Sequence, residues 1–240
     1  MNDFLKATPL LDFTHPEIQS HIRAQKYRDQ EPKARIGAIY DYVRELPFGY
    51  NLSDALPASQ VLRDGYGQCN TKTTLLMALL RACDIPCRFH GATIHKRLQA
   101  GVVPPIAHFF APQNIVHSWA EVYFEEKWVA LEGVICDSPY LDGIRTLTGC
   151  SGEYLGYGIG TLNLAAPPIQ WDGSDTAIQQ TGVNQDFGTF LSPDDFYAKY
   201  GVNLRGLRKY LYRRFIRHHM NRRVKRIRQI TEAPTRTPPQ

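Results

Sequence analysis

Cys69 stands in Gly67-Gln68-Cys69-Asn70, where an apolar helical pattern opens, and His117 follows 48 residues later at the head of His117-Ser118-Trp119-Ala120-Glu121-Val122-Tyr123. A thiol in the first turn of a helix faces unpaired N–H groups and the positive end of the dipole, which favour the thiolate. A histidine arriving on a later strand supplies a base, and the pair has the parts for nucleophilic acyl transfer.

Hairpin geometry supplies a third member. If Glu125-Glu126 is a two-residue turn, Phe124 pairs with Lys127 and Trp119 faces Glu132 across the ladder. His117 and Glu132 then share a face as diagonal neighbours, roughly 7–8 Å apart by Cα. A carboxylate there holds one imidazole nitrogen as N–H and leaves the other to take a proton from the thiol. A one-residue slip would break this parity, so the turn length decides it.

Other elements must hold these groups in place. A short helix is expected over Pro16–Arg28 with Thr14 as its cap, and a second over Pro32–Glu45 with proline in its first turn. Pro47-Phe48-Gly49-Tyr50 breaks the second helix, and Ser59–Leu62 is a short helical or turn element ending at Gly65. The Cys69 helix runs to about Cys83 with Leu75, Leu76, Leu79, Leu80 and Cys83 as its buried stripe, and Asp84-Ile85-Pro86 stops it. Cys87–Ile94 and His117–Phe124 alternate as strands, Trp128–Val134 returns as a third, and 98–114 is a loop. Residues 142–190 hold nine of the eighteen glycines and read as loops and short strands. These two loop regions are expected to shape the cleft. Ser192-Pro193-Asp194-Asp195 starts a further helix through Tyr200.

Val61-Leu62-x4-Gly67-x-Cys69, then Leu79-Leu80-Arg81-Ala82-x-x-Ile85-Pro86-x-Arg88, then His117-x-Trp119-x-Glu121-Val122-Tyr123 with Trp128 and an acid at 132, together resemble the transglutaminase-like domain. That family is a branch of the papain-like cysteine acyltransferases and proteases. The resemblance runs from about Ala34 to Gly133. It implies an α+β fold with the nucleophile on a helix packed against an antiparallel sheet, and it implies Cys69 as nucleophile, His117 as base and Glu132 as orienting acid. Three positions depart from the family's pattern: Glu132 replaces its usual aspartate, Asn70 follows the cysteine, and Asp84 stands where glycine is usual before Ile-Pro. Glutamate keeps the charge, and aspartate tolerates the left-handed backbone.

In the acyl-transfer reading Cys69 forms a thioester from an amide, its backbone N–H donates to the oxyanion, and a second donor comes from upstream. Tyr50 is a candidate by its phenol, with packing as the plain alternative. An amine acceptor makes the reaction transamidation, and water makes it hydrolysis. No cofactor or metal is expected: Cys83-x3-Cys87-x2-His90-x4-His95 lacks the spacing of a zinc knuckle, and Cys83 falls on a buried stripe.

Charge is divided unevenly. Residues 1–203 carry 16 Lys and Arg against 22 Asp and Glu, a balance of −6, whereas 204–240 carry 12 against Glu232 alone, a balance of +11. We therefore expect a domain over 1–203 and a basic amphipathic helix and tail over 204–240, with Leu204, Leu207, Leu211, Phe215, Met220, Val224 and Ile227 as its apolar stripe. The stripe can pack on the domain. Alternatively, residues 204–230 can meet an anionic membrane surface or an acidic partner, with nucleic acid a weaker option. Five scattered cysteines and the lack of a signal-like start or a long apolar run point to a cytoplasmic protein. Two functions stay open: a cysteine enzyme acting on a protein or peptide amide, or an inactive relative that binds or scaffolds through its basic helix.

Overall fold

The computed structural model describes residues 1–204 and 206–230; Arg205 and residues 231–240 of the expected tail lie outside the described residues. The N-terminal part is helical: α1 (Pro16–Gln25), α2 (Pro32–Glu45), α3 (Ala58–Asp64) and α4 (Cys69–Ala82). His15, rather than Thr14, caps α1, its ring accepting the Glu17 N–H, and Lys26 ends the helix in the left-handed conformation. α4 is buried along its whole length, so its helical stripe is only part of what it hides. Leu75, Leu76, Leu79 and Leu80 are fully buried, and each such side chain is worth roughly 1.5–3 kcal/mol of transfer free energy.

Asp84 follows α4 with φ of 61°, so aspartate does hold the left-handed turn that sends the chain into the sheet. The sheet is antiparallel in the order β3-β2-β1-β6, built from β1 (Cys87–His95), β2 (Asn114–Phe124), β3 (Lys127–Ala130) and β6 (Val183–Phe190). Between β1 and β2 lies a short helix, α5 (Pro105–Phe109). The β2–β3 turn has the expected length: Phe124 pairs with Lys127, and Glu125 and Glu126 both have positive φ, the geometry of a type I′ hairpin.

The third strand is shorter than the alternation implies. β3 ends at Ala130, whose N–H donates to Asp175 and whose carbonyl accepts the Thr176 N–H. Leu131 still donates its N–H to the Ala120 carbonyl while bridging to Thr176 on its other side, and the chain then turns away, so Glu132 sits in a 3-10 turn (Glu132–Val134) and not opposite Trp119.

The glycine-rich region also holds more structure than loops and short strands. α6 (Ser138–Thr148) runs from Asp137, which caps it, to Gly149 with φ of 64°. After the small β4 (Tyr154–Gly156) and β5 (Ile159–Thr161), β6 adds to the open edge of β1. Its exposed Asn184, Gln185 and Asp186 explain the missing apolar signal, because an edge strand can be polar. α7 (Pro193–Tyr200) then lays Phe196 over the sheet, where a Cβ on Gly91 would come within 2.3 Å of that ring.

The basic tail is helical as α8 (Gly206–Leu211), a π-helical turn (Tyr212–Ile216) and α9 (Arg217–Arg228). Only the downstream half of its stripe is packed: Met220, Val224 and Ile227 are buried, while Leu207, Leu211 and Phe215 are exposed. α9 lies against α6 so closely that a Cβ on Gly143 would stand 2.1 Å from the Ile227 carbonyl oxygen. Arg228 secures it by donating to Asp137 at 2.8 Å. No described helix is long and apolar enough to cross a membrane.

Candidate active site

Cys69 is the first residue of α4, with Gln68 at the N-cap. The Gln68 N–H donates to Thr71 Oγ1 at 3.0 Å, and that hydroxyl donates to Asn51 at 2.7 Å, which fixes the turn carrying the thiol. Cys69 is 9% exposed and borders a cavity of about 30 Å³ shared with Phe48, Tyr50, Asn70, Gln179 and Asn203.

Asn70 ties this turn to β2. Its amide donates to Asp54 at 3.1 Å and to the Val116 carbonyl at 3.2 Å, and its oxygen accepts the Ser118 hydroxyl at 2.9 Å. Thr73 adds a second link, its hydroxyl donating to the Ser118 carbonyl at 3.2 Å, so α4 and β2 are joined at the turn that carries Cys69. Asp54 is the hub beneath it. One carboxylate oxygen accepts Gln68 Nε2 at 2.9 Å as well as Asn70, and the other accepts the Asn203 N–H at 3.0 Å. Burial raises the Asp54 pKa above the ordinary aspartate value, against the pull of these bonds.

His117 is fully buried, and its Nε2 lies 3.1 Å from Glu132 Oε1. Its Nδ1 has no well-aligned hydrogen-bond partner, and it is the nitrogen left for the Cys69 thiol, which interacts with the ring. Burial opposes protonation of this imidazole. Hydrogen bonding and charge from Cys69 and Glu132 outweigh it and hold the His117 pKa at about 9.

Glu132 is in turn oriented by backbone. It accepts the Ile178 N–H in a short bond and the Gln179 N–H at 2.9 Å, so it is nearly buried yet fully engaged. Cys69, His117 and Glu132 therefore meet, although Glu132 arrives from a turn rather than a strand face.

Tyr50 lines the same cavity, and its hydroxyl has no hydrogen-bond partner among the described residues. Burial, with the nearby Tyr212 and Cys69, pushes its pKa well above 10, so it stays a protonated donor. Its backbone is clamped from the tail: Asn221 accepts the Tyr50 N–H at 2.7 Å and donates to its carbonyl at 3.0 Å. Asp54, Gln179, Asn203 and Asn221 carry no signal in the sequence pattern. Asp54 approaches the Gly-Gln-Cys-Asn motif only in space, and the donors to Glu132 are main-chain groups with no residue signature. Among the described residues no group of three or more His, Cys, Asp and Glu is placed to hold a metal ion.

The model of the transglutaminase-like superfamily matches residues 22–133. A solved structure of a candidate cysteine protease from Cytophaga hutchinsonii is similar at 15% identity with a TM-score of 0.45, over 80% of this chain and 47% of that one. The chain thus spans just under half the length of that protein. No curated protein sequence matches it.

Proposed function

From the premise that residues 22–133 form a transglutaminase-like domain, we propose that the protein catalyses cysteine-dependent acyl transfer on amide bonds of proteins or peptides. The observation that carries this reading is the arrangement at His117: one ring nitrogen bonded to a carboxylate that two backbone N–H groups fix, the other left for Cys69.

The steps follow from the groups present. Cys69 Sγ, as thiolate beside the His117 imidazolium, attacks the amide carbonyl and forms a C–S bond. Charge collects on the carbonyl oxygen, where the Cys69 N–H at the helix start and the Tyr50 phenol donate. His117 gives its proton to the leaving nitrogen, the C–N bond breaks, and a thioester and a free amine result. Water or an acceptor amine then attacks the thioester while His117 takes the incoming proton, and Cys69 is released as thiolate. Glu132 holds the imidazole in register throughout.

One observation favours the alternative of an inactive module acting through its basic helix: the cavity at Cys69, about 30 Å³, holds little more than a water molecule. Iodoacetamide labelling of Cys69 near neutral pH, in wild type and His117→Ala, separates the two. Labelling faster than that of an ordinary thiol, and dependent on His117, supports the enzyme. An ordinary rate, unchanged in His117→Ala, supports the inactive module.

A further inference from the structure

The unpacked half of the tail's stripe is one wall of a groove of about 680 Å³, within the roughly 300–1,000 Å³ typical of ligand sites. Leu204, Leu211 and Phe215 line it on the tail side, with Val103, Ile106 and Phe110 opposite. Ile106 and Phe110 are 77% and 67% exposed, an unusual concentration of open apolar surface. The groove and the Cys69 cavity share Tyr50, Gln68, Gln99, Ile115 and Asn203, so one leads into the other.

Two features say what the groove takes. Gln179 Oε1 is a buried acceptor without a hydrogen-bond partner, in a residue that is 3% exposed and lines the Cys69 cavity. A buried acceptor lacking a donor is costly, and an amide N–H relieves it where an alkyl chain or ester cannot. Asn203 already places an amide at this junction, its side chain accepting the Val116 N–H at 2.6 Å and donating to the Val116 carbonyl at 3.4 Å.

The second feature is charge. Arg208 and Lys209 line the groove, and neither has an ion-pair partner among the described residues. Asp54, the acid that also lines it, is engaged by Gln68, Asn70 and Asn203.

We propose that the groove binds a peptide with large apolar residues beside the reacting amide and a carboxylate side chain paired with Arg208 and Lys209. This specificity rests on the acyl-transfer reading of Cys69. Its charged side is supplied by the tail, outside the family-matched segment, and its apolar side by both.

Calorimetric titration of the full chain carrying Cys69→Ala tests it without turnover. The probes are acetyl-Glu-Leu-Phe-Gln-Leu-Glu-amide, the same peptide with serine for Leu and Phe, the same with lysine for both Glu, and dodecanoate. The first is expected to bind about tenfold or more tighter than the serine peptide and several-fold tighter than the lysine peptide. Adding Arg208→Gln and Lys209→Gln, both on a solvent-facing wall, removes the second preference and leaves the first, with circular dichroism verifying that the variant is folded. Equal affinity for the first three probes overturns the proposal, and so does dodecanoate binding tighter than every peptide. Selective binding by Cys69→Ala combined with an unreactive wild-type thiol would sink the acyl-transfer reading instead, so the two failures are told apart.

Discussion

His90 and His117 sit on neighbouring strands, two ladder steps apart, and each holds a glutamate. His90 Nδ1 lies 2.6 Å from Glu121, its Nε2 lies 2.7 Å from Asp186, and its ring stacks on Trp119 with centroids 4.1 Å apart. His117 uses one nitrogen for Glu132 and keeps the other beside a thiol. In both, burial favours the neutral ring and partners override it, raising the pKa. The difference lies in saturation: His90 has a carboxylate on each side and no nucleophile, so it ties β1 to β2 and β6. A carboxylate-paired histidine is a base only if its second nitrogen has somewhere useful to send a proton.

The strongest way to break this contrast is substitution of the two histidines. His117→Ala or Cys69→Ala is expected to lower acyl transfer on a suitable amide substrate about 10³-fold or more. The same assay should show His90→Gln within about threefold of wild type. Comparable losses at both histidines would erase the distinction.

Glu132→Gln comes next. The amide oxygen can still accept the Ile178 and Gln179 N–H groups, but the orienting charge on His117 is lost. A fall in kcat of about 10²- to 10⁴-fold is expected in steady-state kinetics, with circular dichroism verifying that the variant is folded. Full activity in Glu132→Gln would remove the carboxylate from the account. Tyr50→Phe deletes only a hydroxyl and should lower kcat about 10²-fold with KM nearly unchanged. A change confined to KM would make Tyr50 a packing residue.

The pH dependence gives the sign of the pairing. A histidine whose pKa is raised to about 9 stabilises the fold fully below its ordinary 6.5 and loses that contribution as pH rises through about 9. The imidazolium that partners the thiolate is lost over the same range, so kcat/KM should fall on an alkaline limb near pH 9. Glu132→Gln should move that limb toward neutrality, and His90→Gln should leave it in place. The smallest effect is His90→Gln on stability, about 1–2 kcal/mol by denaturant unfolding.

Much of this arrangement is readable in the sequence, and the exceptions share a cause. The buried stripe of α4, the left-handed turn at Asp84 and the length of the β2–β3 turn are local matters, set by side-chain period and backbone preference, and the structure follows them. Glu132 was placed near His117 by strand parity, and it arrives there by another route, because the chain turns away after Leu131, where Asp175 and Thr176 approach from 45 residues away. No local pattern reports such a contact. β6 lies in a stretch that reads only as loops and short strands, because a polar edge shows no apolar alternation. α6 could have been found from the Asp137-Ser138-Pro139 cap and the spacing of Tyr140, Leu141 and Ile144, which the surrounding glycines obscured. The tail's stripe was visible, but its division into a packed half and an open half depends on α6, which receives only the second.

The most direct test of the central claim, that His117 differs from His90 because its free nitrogen serves Cys69, is the pH profile of Cys69 alkylation by iodoacetamide, followed by peptide mass analysis. The account predicts rapid labelling near neutral pH that collapses in His117→Ala and is unchanged in His90→Gln. Labelling at an ordinary thiol's rate, indifferent to His117, would contradict it.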